Sequence, residues 1–269
     1  MSAAFAPAAP AASTATALSL QGIGVRFGGL QALDDVSFDV PQGQAIGILG
    51  PNGAGKTTLF NVITGFVPRH TGVVRAFDSD LTELRPDQRS RLGVVRTFQN
   101  LQVFEHMTVF ENVLVGFHGR TGSGVMSDAF RLRRARRESG WTRNEAAELL
   151  ELVGIAEYAG SYPADVPFGV LRRLDIARAL AAAPKLLLLD EPASGLHLSE
   201  RLELRQVIEA VHQAHDLTVI VVEHDVELVM ALCSFVHVLE FGRLIFSGTP
   251  EEVDRSEVVQ AAYLGVDHA

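Results

Sequence analysis

Nine consecutive residues, Gly50-Pro-Asn-Gly-Ala-Gly-Lys-Thr-Thr58, carry the clearest chemistry in the chain. They match the pattern G-x-x-x-x-G-K-[ST], with Gly50, Gly55, Lys56 and Thr57 at its specified places. Glycines let the backbone fold tightly enough for several N–H groups to converge on a phosphate chain. A helix starting at the end of such a loop adds free N–H groups and a partial positive charge. Lys56 would reach the β- and γ-phosphates, and Thr57 would hold Mg²⁺. Pro51, Asn52, Gly53, Ala54 and Thr58 complete the cradle. This stretch predicts a nucleoside triphosphate site.

Two acids stand together at Asp190-Glu191, after Leu186-Leu-Leu-Leu189. Four leucines running into carboxylates describe a strand buried on both faces, with its acids at the C-terminal edge where open α/β sheets bind ligands. Asp190 is placed to hold Mg²⁺ through water, and Glu191 to orient or deprotonate an attacking water. His224, in Glu223-His-Asp225, also follows an apolar run and would hydrogen-bond a γ-phosphate. Gln99 ends a strand candidate, where its amide oxygen can face a metal ion or a water. Phe27 has two readings, a core aromatic at a strand end or a flat face for an adenine ring.

These residues need elements to place them. Gln44–Leu49 reads as the strand before the loop, and Thr57–Thr64 as the helix after it, closed by Gly65. Leu18–Phe27 and Leu33–Val40 are strand candidates around the turn Gly28-Gly29, as are Gly72–Phe77 and Gly93–Phe98. Pro86–Leu92 suggests a short helix. From Asn100 to Tyr162 helical spacing takes over, in Thr108–Phe117 and Thr142–Val153. Between these lie the loop His118–Ser127 and the basic run Arg131–Arg137, which suits a solvated helix face or contact with a lipid surface. Val170–Ala183 reads as a helix, Ser199–His215 as another, and Leu217–Val222 as a further buried strand. A hairpin around Gly242 follows, and the segment from Pro250 ends in a short helix and tail.

Composition sets limits. The chain has 269 residues, 47% of them hydrophobic, enough for a sizeable core. A formal charge of -9 argues against a protein that coats nucleic acid. The single cysteine, Cys233, excludes an intrachain disulfide and suits a reducing compartment. The longest apolar stretch, Ile176–Leu189, is interrupted by Arg178, Pro184 and Lys185 and is too short to span a bilayer. Residues 1–17, rich in Ala, Pro, Ser and Thr, read as a flexible leader ahead of a domain over 18–269. A soluble, cytoplasmic chain is expected.

With these motifs in order, the chain resembles the ATP-binding subunits of ABC transporters from about Leu18 to Gly265. The phosphate loop, the glutamine at Gln99, the strand with paired acids, Ala193-Ser-Gly-Leu-His197 and His224 fall in the family's sequence. The resemblance implies an α/β fold: a P-loop NTPase core of ABC-ATPase type, an antiparallel β subdomain, and a helical subdomain inserted at about 100–183. It also implies ATP and Mg²⁺ as ligands, with Thr57, Gln99 and Asp190 toward the metal. Catalytic roles would fall to Glu191, His224, Gln99 and Lys56, and adenine stacking to Phe27. Implied partners are a second ATP-binding subunit, two integral membrane permease subunits and, indirectly, a periplasmic solute-binding protein. The chain would then sit on the cytoplasmic face of the inner membrane.

A narrower resemblance rests on Gly93-Val-Val-Arg-Thr-Phe-Gln99, the insert after Val109 and Ala262-Tyr-Leu-Gly265. These are similar to subunits that energise uptake of branched-chain and other hydrophobic amino acids; urea and amide importers are similar too. One loop departs from the family. Where ABC proteins generally have Leu-Ser-Gly-Gly-Gln, this chain has Val166-Pro-Phe-Gly-Val170. The family's serine hydroxyl and glutamine amide touch ATP held by the opposite subunit, and here only Gly169 and a helix N-terminus remain for that role. His197 also replaces the commoner Asp or Asn. A weakly hydrolytic partner in an asymmetric pair is therefore an alternative to a fully active ATPase.

Overall fold

The computed structural model describes residues 15–97, 101–120 and 131–264. Strands β1 (Thr16–Phe27) and β2 (Leu30–Pro41) form a long antiparallel hairpin, followed by the short β3 (Ala45–Leu49). Helix α1 (Lys56–Thr64) leaves the phosphate loop, and strands β4 (Thr71–Ala76) and β5 (Ser79–Asp80) return to the hairpin. Then come α2 (Pro86–Arg91), β6 (Val94–Arg96), and the helices α3 (Val109–Gly116), α4 (Arg131–Leu152) and α5 (Phe168–Ala181). The second half alternates β7 (Leu186–Asp190), α6 (Leu198–His215), β8 (Thr218–Val222) and α7 (Val226–Leu232). It closes with β9 (Phe235–Glu240), β10 (Arg243–Gly248), α8 (Pro250–Asp254) and α9 (Glu257–Leu264).

Two sheets result. One is four-stranded, in the order β2-β1-β4-β5, and antiparallel; the other is six-stranded, in the order β10-β9-β3-β8-β7-β6. In the second sheet β9, β3, β8, β7 and β6 are parallel, and only β10 runs against its neighbour. Buried parallel strands of this kind are apolar on both faces. The period of two then divides the core. Ile46, Ile48, Leu186, Leu188, Ile220 and Val222 pack toward α1 and the antiparallel sheet. Leu49, Leu187, Leu189, Val219 and Val221 pack toward the helices α3 to α6. All five parallel strands deliver their C-terminal ends to one edge, which is where the chemistry gathers.

The predicted strands and helices around the phosphate loop occur within one to three residues of their expected bounds. Other segments differ. The helix expected at Thr142 begins at Arg131, so the basic run shares α4 with the later apolar spacing; the side chains of Arg131–Arg137 lie outside the described residues. Helix α7, which follows Asp225, went unread because it is only two turns long. The single C-terminal helix expected after Pro250 is two, broken at Arg255 and Ser256. Within the expected leader, Thr16 and Ala17 already belong to β1, while residues 1–14 and most of the loop His118–Ser127 lie outside the described residues. No helix among the described residues is long and apolar enough to cross a membrane.

Candidate functional site

The chain leaves β3 at Gly50 with φ 152°, and a Cβ there would stand 2.2 Å from the Leu239 carbonyl oxygen. Only glycine fits so tight an exit. Gly55, at φ 102°, occupies the N-cap position of α1, so the first N–H groups of the helix face out of the loop without intrahelical partners. Lys56 is 5% exposed, and its Nζ donates to the carbonyls of Gly50 at 2.6 Å and Pro51 at 3.1 Å. Burial lowers its pKa, against the opposing pull of Glu191, Glu223 and Asp190. The β9–β10 turn braces the loop from behind: Gly242 donates its N–H to the Ala54 carbonyl at 2.9 Å.

The acids end β7, which lies between β8 and β6 and is buried throughout. Asp190 is 1% exposed. Its Oδ2 is paired with Arg96, delivered by the neighbouring β6, while its backbone N–H donates to Thr97 Oγ1 at 3.3 Å. Arg96 also donates to Asn61 Oδ1 at 2.6 Å and lies 5.4 Å over the Phe60 ring. The other carboxylate oxygen, Oδ1, is buried with no hydrogen-bond partner in the structure. Such an acceptor calls for a water or an ion. Glu191 follows at φ 45°, a conformation costing a non-glycine residue about 1–3 kcal/mol. Its N–H is held by the Val222 carbonyl at 2.8 Å, and the residue lines one cleft with the phosphate loop.

The end of β8 carries a residue to which sequence reading gave no role. Glu223 is fully buried; Oε1 accepts the Ala193 N–H at 2.7 Å and Oε2 the His224 N–H at 3.1 Å. Burial raises its pKa, and these N–H groups pull it back. One carboxylate thus ties the segment after Glu191 to the residue expected to contact phosphate. An acid directly at the end of a buried strand was the available signal. The His224 ring is about half exposed, with Nδ1 3.5 Å from Glu223 Oε2.

The loop Val166–Val170 packs on Ala193–His197 of the same chain. Pro167 is the N-cap of α5, and the Phe168 ring approaches Gly195. Arg172 lies 5.1 Å over that ring and donates to the Ser194 carbonyl at 3.0 Å. Gly169 is buried; a Cβ there would meet Glu200 Oε1 at 2.7 Å. Val170, the position where the family's polar glutamine was missing, is 2% exposed and belongs to the apolar core. A valine suits that apolar surrounding, where an amide would be buried.

A cleft of about 360 Å³ gathers the phosphate loop from Asn52 to Thr58 with Phe27, Leu30, Glu191 and Phe241. That is within the usual size for a small-molecule site. Phe27 is 53% exposed, which overturns its reading as a core residue. Phe241, 83% exposed at the tip of the β9–β10 turn, is a second rim aromatic that sequence reading missed. Larger clefts beside Trp141 and beside Met107 hold no comparable backbone cradle, so size is a poor guide here. His224 and Gly169 do not line the cleft, and Gln99 lies outside the described residues.

Comparison with known proteins agrees with this geometry. A family model described as ABC transporter matches residues 33–194, more than half the chain. A second, described as branched-chain amino acid ATP-binding cassette transporter, matches residues 243–269. The chain is 39% identical over 248 residues to the high-affinity branched-chain amino acid transport ATP-binding protein LivG of Salmonella typhimurium, covering 92% of this chain and 97% of that protein. It is 38% identical, with the same coverage, to BraF of Pseudomonas aeruginosa, which carries the same description. An ABC-transporter cassette crystallised in its ADP conformation superposes with a TM-score of 0.79 at 28% identity, over 94% of this chain and 100% of the other. A nucleotide-free cassette gives 0.78 at 29%, over 92% and 98%. The chain belongs to the ATP-hydrolysing, ATP-binding subunits of ABC transporters.

Proposed function

We propose that this chain energises an importer of branched-chain or other hydrophobic amino acids, working with a second ATP-binding subunit, two membrane permease subunits and a solute-binding protein. The observation that carries the reading is the convergence of Lys56, Thr57, Glu191 and the aromatic rim of Phe27 on one cleft. The similarity to LivG and BraF supports the substrate class.

In this reading Phe27 stacks on adenine and the N–H groups of Gly53 to Thr58 hold the phosphates. Lys56 exchanges the Gly50 and Pro51 carbonyls for phosphate oxygens. The residues present fit Mg²⁺: Asp190 has a buried oxygen with no partner, Thr57 is exposed in the cleft, and Gln99 is the third contact implied by the family. Bound there, Mg²⁺ would neutralise charge on the phosphates. Glu191 orients and deprotonates the attacking water, and His224 reports the γ-phosphate. Gly169 and the start of α5 serve the ATP of the opposite subunit, and the chain works at the cytoplasmic membrane face.

A second reading, a weakly hydrolytic member of an asymmetric pair, is favoured by Pro167 and Phe168, which offer no hydroxyl. Reconstitution with the permease and binding-protein subunits tests both. ATP-driven leucine uptake is expected. Uptake of urea in place of leucine would contradict the substrate class, and hydrolysis only when a different ATP-binding subunit is added would favour the second reading.

A further inference from the structure

The C-terminal segment reaches back to the first residue of the phosphate loop. Helix α9 is anchored by buried Val259 and Ala262, and Tyr263 packs against the core on the helical side of the main sheet. From there the Tyr263 hydroxyl oxygen accepts the Gly50 N–H at 2.9 Å, a contact spanning 213 positions of sequence. The same glycine's carbonyl accepts from Lys56 Nζ at 2.6 Å, and on its third side the Leu239 carbonyl leaves no room for a Cβ. Gly50 is therefore held on three sides. Lys56 is the holder that a bound phosphate chain draws away; the tyrosine contact does not compete with phosphate.

We propose that Tyr263 is a positioning residue for the phosphate loop, through which docking of α9 sets the affinity of the cleft for nucleotide. The proposal rests on the reading of Gly50–Thr58 as the ATP site. Burial raises the phenol's pKa, so the hydroxyl stays neutral and serves as an acceptor across the working pH range. None of the described residues of the segment lines the cleft, so its effect passes through Gly50.

Tyr263→Phe removes the acceptor and keeps the ring packed. In the full-length chain, titration with MgATP and with a fluorescent ATP analogue should show Kd and KM rising about three- to tenfold, the size of one lost buried hydrogen bond, with kcat within about twofold of wild type. Amide hydrogen exchange at Gly50 should quicken. If the wild-type chain binds ATP and the variant binds it equally well with unchanged Gly50 exchange, the proposal is overturned alone. A fall in kcat at constant KM also overturns it. A wild-type chain that binds no ATP overturns the reading of the cleft and the proposal with it.

Discussion

Replacing Arg96 with Met should destabilise the protein sharply, and the structure says by how much. The Arg96 side chain is 6% exposed and its partner Asp190 is 1% exposed, so the pair is buried. Deleting one member of a buried pair leaves the other charge uncompensated, at a cost of about 3–5 kcal/mol. Here the stranded charge is Asp190, and Asn61 Oδ1 loses its donor as well. Met retains the packing over Phe60, so lost volume adds little. For a domain of this size about 2–4 °C accompanies each kcal/mol, and the melting temperature should fall by about 6–20 °C in Mg²⁺-free buffer. The assay is calorimetry on Arg96→Met, Asp190→Asn and the double variant. Asp190→Asn removes the stranded charge, so the double variant should recover about 1–3 kcal/mol relative to additive losses. A single variant melting within about 2 °C of wild type, or strict additivity, would refute the reasoning.

Two further outcomes follow from burial. Val170→Gln, which would restore the family's residue at that position, buries an amide in the apolar core and should cost about 1–3 kcal/mol while leaving ATPase turnover no higher; a gain in turnover at unchanged stability would contradict the placement. His237, stacked 4.2 Å from Phe38 and hydrogen-bonded to Ser247 at 2.8 Å, has its pKa pushed down to about 3 by burial. The unfolded chain takes up that proton below its ordinary pKa of 6.5 while the folded chain does not, so its contribution is full above pH 6.5 and is lost as pH falls toward 3. Between pH 7 and pH 5 urea unfolding should show about 2 kcal/mol of loss that His237→Gln abolishes. A variant with the wild-type slope would count against it.

The parts of this molecule that were legible in the sequence are those written in local chemistry. The phosphate loop, its flanking strand and helix, and the leucine run into Asp190-Glu191 announce themselves by spacing. Val166–Val170 reads as a weakened contact because its letters differ from the family's; the structure adds that the Val170 side chain is buried in the apolar core. Arg96 was passed over because an arginine at a strand end has no local signature, and its meaning lies in β6 lying beside β7. Glu223 has no role in the sequence reading, since its burial depends on the loop that folds over it from Ala193. Phe27 was left open between core and ligand because its exposure is set by the β1–β2 hairpin's end. Tyr263 and Phe241 illustrate the same limit. Each reaches the site from a distant segment, and pairwise sequence spacing carries no trace of that return.

The central claim is that Glu191 acts on water in the cleft formed by the phosphate loop. Glu191→Gln keeps the size and the backbone turn at this position and removes the base. Steady-state ATP hydrolysis, measured beside equilibrium ATP binding on the same protein, tests it most directly. The account predicts hydrolysis falling by about 10²-fold or more, with ATP bound at least as tightly as by wild type. Turnover equal to wild type in Glu191→Gln would contradict it.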